Sequence, residues 1–320
     1  MRRAFRFLLP VGLLAALVLP PTAAAVHNLD QHSLNMTKPF QVANETGATN
    51  SDIAFWGTRA YVGNYDGVRI YDISNPAAPQ LLNDWRCRGP QNDPAVWGNL
   101  MFLAIDRTQM VPAGQTPSRA AASQCGSVDS VRPNPANPAQ MIAYHDDPNG
   151  WEGVRIIDIS NPAAPRQVGA VYSDCGAHTI TLNPVSVSTI HLWVSSYPLN
   201  PGPTCGPTQG PAVGRHPHHG VIQVIEVPLA NPAAAREIAE PPITYPGDPD
   251  NAFNPGEHAL PLLTMRACHD IQIHTKLRIA AAACAEQGQL WRIGAGGMPD
   301  TLNPIWVVDE VTDSDGPGGG

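Results

Sequence analysis

Basic residues are scarce in this chain. Lys and Arg together number 19 against 27 Asp and Glu, for a formal net charge of −8 over 320 residues. Three of the arginines, Arg2, Arg3 and Arg6, stand at the extreme N-terminus. Without them the charge is about −11, and so acidic a surface argues against nucleic acid or anionic membrane as a partner. Beyond residue 25 no apolar run approaches the roughly 20 residues of a membrane-spanning helix. There is no CxxC or Cys/His finger spacing, which argues against a structural zinc site. Gly-x-Ser-x-Gly, His-Glu-x-x-His and a phosphate-cradling glycine loop are also missing, so no reaction class has its sequence signature here.

Turn formers are what the chain has in excess: 34 prolines and 28 glycines. That is too many for a helical protein and fits short strands joined by turns, within one large all-β domain. Residues 1–25 have the pattern of a signal peptide. A basic n-region precedes the apolar stretch Leu8 to Leu19, and Ala23-Ala24-Ala25 supplies a cleavage site. The mature chain is therefore expected to be exported, secreted or extracytoplasmic, with Arg2-Arg3 fitting the Sec and twin-arginine routes equally well.

The organising feature is an internal echo. Gly67-Val-Arg-Ile-Tyr-Asp-Ile-Ser-Asn-Pro-Ala-Ala-Pro79 returns at Gly153 to Pro165 with only Tyr71 changed, to Ile157. Repetition of that length means repeated structural units. The β-formers Val68, Ile70, Tyr71 and Ile73 read as a strand apolar on both faces, and Ser74-Asn75-Pro76 ends it. Two strands precede each copy and one follows, giving strands A to D. In the first unit they are Asp52 to Trp56, Arg59 to Gly63, the echo, and Gln80 to Trp85. Both units open on Asp-x-Ala-x-Trp-Gly, and two degenerate copies follow.

Four-stranded units so repeated are blades of a β-propeller, an all-β fold. Four antiparallel blades are recognisable, at about 51–86, 92–173, 177–243 and 269–311. Residues 26–50 form an extension in which Lys38 to Ala43 reads as an orphan strand D, and 312–320 is a flexible Gly-rich tail. Four blades make an incomplete or open ring, from a truncated chain or an arc closed by another copy, with self-association through open blade edges.

Val68-Arg-Ile-Tyr-Asp-Ile-Ser74 and Val154-Arg-Ile-Ile-Asp-Ile-Ser160, each followed by an Asn-Pro-Ala-x-Pro turn, resemble the LVIVD-repeat family of secreted bacterial β-propeller proteins. The resemblance implies a propeller fold and export. It brings no catalytic residues with it.

The blade frame orders the six cysteines. Cys87, Cys175 and Cys268 each precede a strand A, and Cys125, Cys205 and Cys284 each follow a strand B. Start of A and end of B lie at the same end of an antiparallel pair, so the expected bridges are Cys87–Cys125, Cys175–Cys205 and Cys268–Cys284. The long insertions fall on that same face, at Asp106 to Trp151, Ser196 to Gly220 and Thr244 to Ala267. Long loops on a rigid scaffold are where binding concentrates.

Two sets of side chains could carry chemistry on that face. Asp52, Asp93, His178, His269 and Asp270 begin the innermost strands and would ring the central opening. They are a ligand or metal site, or they tie the connecting loops together. His216, His218 and His219 form the densest imidazole cluster, able to chelate a divalent metal that Glu257-His258 could complete, and otherwise a solvated loop. Asp313-x-Asp315-Gly316 is half a calcium loop without its glutamate.

The expected function is a non-catalytic exported propeller, without a cofactor, presenting a disulfide-braced loop face to a protein or cell-envelope ligand. The alternative is a metal-dependent enzyme, hydrolase or oxidoreductase, with a divalent metal at the channel mouth or the His216–His219 loop.

Overall fold

Proline cannot donate to a ladder and Asn-Pro sets a turn, so the chain is cut into short strands that pair with their sequence neighbours. A computed structural model describes residues 47–134, 137–143, 149–196, 220–244, 267–284 and 287–309. These lie in one compact unit. The first sheet runs β1 (Asn50–Trp56), β2 (Arg59–Asn64), β3 (Gly67–Asp72) and β4 (Gln80–Arg86) in spatial order. The second begins with β5 (Gln91–Trp97) and β6 (Leu100–Met110). The chain then inserts α1 (Arg119–Ala122), β7 (Val128–Asp129), β8 (Val131–Asn134) and β9 (Asn137–Ala143) before β10 (Trp151–Asp158) and β11 (Arg166–Tyr172) complete the blade. β7 pairs with the end of β6, and β8 and β9 form their own hairpin. The third sheet is β12 (Thr179–Pro184), β13 (Thr189–Ser195), β14 (Ile222–Pro228) and β15 (Arg236–Ala239). The fourth is β16 (Cys268–His274), β17 (Ile279–Cys284), β18 (Gln287–Arg292) and β19 (Trp306–Asp309).

Each blade is antiparallel throughout and meanders in chain order, the arrangement expected from the repeats. Innermost strands pack in series, β1 on β5, β5 on β12 and β12 on β16. No packing of that extent joins β16 to β1 among the described residues, so the propeller is open. Ile53 and Phe55 on β1 are accordingly exposed, Phe55 by 59%.

Two details differ from expectation. β15 stops at Ala239 rather than Ile243, because Pro241 and Pro242 interrupt the ladder and leave a single bridge, Val221 to Pro242. The first long insertion begins after Met110, not at Asp106, since β6 continues to pair with β7.

The echo now has a local cause. Asp72 and Asp158 accept hydrogen bonds from the Ser74 and Ser160 amides at 2.8 and 2.9 Å, and both carboxyls are held below their ordinary pKa by those bonds. Asn75 and Asn161 likewise accept from Ala77 and Ala163. Each polar residue of Asp-x-Ser-Asn-Pro thus closes the turn on itself.

The glycine that opens each copy has a separate reason. Gly67 and Gly153 have φ of +153° and +135°. A Cβ on Gly153 would lie 2.2 Å from the Val171 carbonyl oxygen and 2.6 Å from the Ser173 nitrogen. Gly153→Ala is therefore expected to destabilise the fold by about 2–3 kcal/mol through backbone strain and separation of β10 from β11. Denaturant unfolding measures it, and a loss below about 0.5 kcal/mol would show that the strand edge yields freely.

Apolar side chains fill three inter-blade junctions. Tyr61, Val68 and Ile70 meet Val96, Met101 and Leu103 between the first two sheets. Phe102, Val154 and Ile156 meet Ile180, Leu192 and Ile225 between the second and third. Trp193, Ile222 and Val224 meet Ile271, Ile273 and Trp291 between the third and fourth. No helix among the described residues is long and apolar enough to cross a membrane.

Candidate functional site

Antiparallel meanders put the start of every innermost strand and the β6–β10 insertion at one end of the blades. Two disulfides mark that end. Cys87–Cys125 ties the entry to β5 to the insertion, and Cys268–Cys284 joins β16 to β17. Cys175 is also disulfide-bonded; its expected partner Cys205 lies outside the described residues.

The insertion is held down by one buried side chain. Arg155 on β10, fully buried, donates from Nε to the Ser123 carbonyl at 2.9 Å and from Nη1 to the Arg88 carbonyl at 2.6 Å. Its Nη2 donates to the Gln124 carbonyl at 3.3 Å and to Ser127 Oγ at 2.8 Å. Burial pushes its pKa down to about 10, so it stays charged at neutral pH. The equivalent Arg69 sits opposite Asp84 and pairs with it at 3.6 Å. Opposite Arg155 stands Ala170, so the second arginine is committed to the insertion instead. A cleft of about 500 Å³ lies where α1 meets β11, lined by Arg119, Trp151 and Tyr172. The Arg119 guanidinium lies 4.1 Å from the Tyr172 ring centre.

The residues expected to ring the opening fall into two groups. Asp93 is buried, accepts from the Ile180 amide at 3.2 Å and interacts with Asp52. Burial first, and then the Asp52 carboxylate, raise its pKa well above the usual carboxylate range, with Asp270 adding to the effect. His178 and His269 form the second group. Their Nε2 atoms lie 3.1 Å apart, and Asp106 Oδ2 lies 3.2 Å from His178 Nδ1. Burial, with the His178 ring beside it, holds His269 below the ordinary imidazole pKa. Further bonds stitch the strand starts together: Ser51 Oγ donates to the Asn92 carbonyl, and Thr179 and Thr181 hydroxyls donate to the His269 and Ile271 carbonyls at 2.7 and 2.6 Å.

Protonation of Asp93 has a consequence for stability. The folded chain retains a proton that the unfolded chain gives up in the ordinary aspartate range. The contribution is intact at acid pH and is lost as pH rises through the raised value. Asp93→Asn keeps an acceptor for Ile180 and supplies a permanent donor toward Asp52. Its melting temperature is expected to decline less between pH 5 and pH 8 and to exceed that of the unaltered chain at pH 8. Parallel curves would place the proton elsewhere.

Sequence reasoning missed Asp106, which ends the apolar run Leu100 to Ile105, and Arg155. The signal for Arg155 was present: a cation repeated at an inward position of a strand apolar on both faces. His216, His218 and His219, with Glu257-His258 and Asp313 to Gly316, lie outside the described residues. Among those described, no group of three or more His, Cys, Asp or Glu side chains is arranged to hold a metal ion.

The LVIVD repeat family model matches residues 47–85 and 149–172, which contain β1 to β4 and β10 to β11. No curated protein matches the chain. Among solved structures, the chain is similar to the candidate 6-phosphogluconolactonase of Bacteroides fragilis NCTC 9343, at 10% identity and a TM-score of 0.34, covering 77% of this chain and 64% of that one. It thus spans less than two thirds of that protein's length. The candidate 6-phosphogluconolactonase of Bacteroides uniformis ATCC 8492 is similar at 14% identity and a TM-score of 0.35, covering 80% of this chain and 72% of that one. The computationally designed Ika8 protein is similar at 12% identity and a TM-score of 0.29, with 81% and 74% covered.

Proposed function

We propose that the protein is an exported, non-catalytic propeller whose insertion-bearing end binds a protein or cell-envelope ligand. The observation that carries this reading is the way the β6–β10 insertion is held. A disulfide and a fully buried arginine fix it to the scaffold before any ligand arrives. Binding surfaces gain affinity when their loops are ordered in advance, because less conformational freedom is lost on association. The fixed insertion also exposes Val128 and Val131, the latter by 49%, as apolar contact points. Disulfides fit an oxidising compartment, in keeping with the signal-like N-terminus.

Sedimentation of the labelled chain with isolated cell-envelope material tests the reading. The double variant Val128→Asp/Val131→Asp is expected to lose at least tenfold in binding while melting within about 1 °C of the parent, since both side chains are at the surface. Unchanged binding by that variant would sink the proposal, as would turnover of an envelope substrate by the purified protein.

A further inference from the structure

His178 precedes β12 and His269 lies on β16, so the two imidazoles reach the same point from different blades. Their backbones are tied in place. The His178 amide donates to the Ser195 carbonyl at 2.8 Å, and the His269 carbonyl accepts from Thr179 Oγ1 at 2.7 Å. Asp106, on β6 of the second blade, lies 3.2 Å from His178 Nδ1. A proton on Nδ1 satisfies that carboxylate and leaves the Nε2 lone pair directed at His269. Carboxylate support of this kind fixes the tautomer of a ligating histidine.

The distance between the ring centres bears on how the close nitrogens meet. The ring centres are 4.7 Å apart and the planes are inclined at 68°. With each nitrogen roughly 1.15 Å from its ring centre, a straight N–H···N bond of this length would put the centres about 5.4 Å apart. The shorter separation means that the lone pairs turn away from the line joining the nitrogens, by about 45° each where both turn equally to the same side. A hydrogen bond bent so far is weak. An ion 2.0–2.1 Å from both nitrogens requires a turn of about 40°. Turned to the same side, lone pairs so inclined meet beside the line between the nitrogens, where an ion would stand.

From this geometry we infer that His178 and His269 are ligands of a late first-row divalent cation of the zinc or copper class, with Asp106 as a positioning residue. Two imidazoles select such ions over calcium and magnesium, which take oxygen ligands. The adjacent Asp270 and the buried Asp106 supply negative charge that suits a cation. Because the ligands come from the third and fourth blades, the ion bridges them.

The test uses chelator-treated protein in which His216, His218 and His219 are all replaced by alanine, which removes the other imidazole cluster. Calorimetric titration with Zn²⁺ is expected to give one equivalent bound and a raised melting temperature. His269→Ala in that background abolishes binding, and Asp106→Asn weakens it about tenfold or more. Binding that survives loss of both His178 and His269, or no binding at all in the His216/His218/His219 background, overturns the proposal. Should His269→Ala fail to fold, pulsed electron paramagnetic resonance of bound Cu²⁺ in the folded background counts the coordinating imidazoles, and a count below two is equally fatal. Envelope binding can persist or vanish without bearing on this site.

Discussion

Arg155→Leu should lower stability by about 3–5 kcal/mol and release the β6–β10 insertion. The arginine is buried without exposure, and its bonds go to three carbonyls and the Ser127 hydroxyl rather than to a carboxylate. Replacing both members of a buried ion pair by apolar groups is often harmless, because both desolvation costs disappear together. Here the acceptors belong to the backbone and remain. They are left either unsatisfied in the interior or exposed by opening of the insertion, and both outcomes favour the unfolded side. Arg155→Lys keeps the charge but not the fork that reaches Ser123 and Arg88 together, so it is expected to recover less than half of the loss. Denaturant unfolding gives the stability change, and limited proteolysis should show new cleavage within residues 111–150. A loss under about 1 kcal/mol with an uncut insertion would show that the arginine is not the anchor.

Removing the neighbouring disulfide is the second large effect. Cys87 and Cys125 are 38 residues apart, and chain-entropy arguments put the cost of freeing that loop at about 4 kcal/mol. Cys268–Cys284 closes 16 residues and should cost about 3 kcal/mol. Cys87→Ser/Cys125→Ser is thus expected to unfold at lower denaturant than Cys268→Ser/Cys284→Ser. The reverse order would mean that strain or residual structure outweighs loop length. The two large effects should also fall short of additivity, because they hold the same segment. Arg155 Nη1 lies 3.5 Å from Cys87 Sγ, and the Cys125 amide donates to Gln167 Oε1 at 3.0 Å. Once either restraint is gone the insertion opens, and loss of the other costs less.

Much of this was legible along the chain. A strand apolar on both faces, a glycine where a Cβ would strike the next strand's carbonyl and an aspartate closing its own turn are requirements met within one blade. They recur wherever the unit recurs, so an echo of thirteen residues was enough to frame four blades. The same frame paired Cys87 with Cys125 and Cys268 with Cys284, because the end of strand B must lie beside the start of strand A. It also directed attention to Asp93, His178 and His269 as residues at one end of the innermost strands.

What the repeat could not determine is the partner each repeated side chain takes. Arg69 and Arg155 hold the same place in the echo, yet one faces Asp84 across its own sheet and the other anchors an insertion. His178 and His269 are 91 residues apart and meet only because successive blades bring their inner strands together. Local sequence therefore determined the blade, its turns and its disulfide frame, since those depend on residues a few positions apart or on one antiparallel pair. Tertiary packing alone decided the arginine anchor, the raised pKa of Asp93 and the approach of His178 to His269. Each of these depends on a distance between elements that no spacing along the chain encodes.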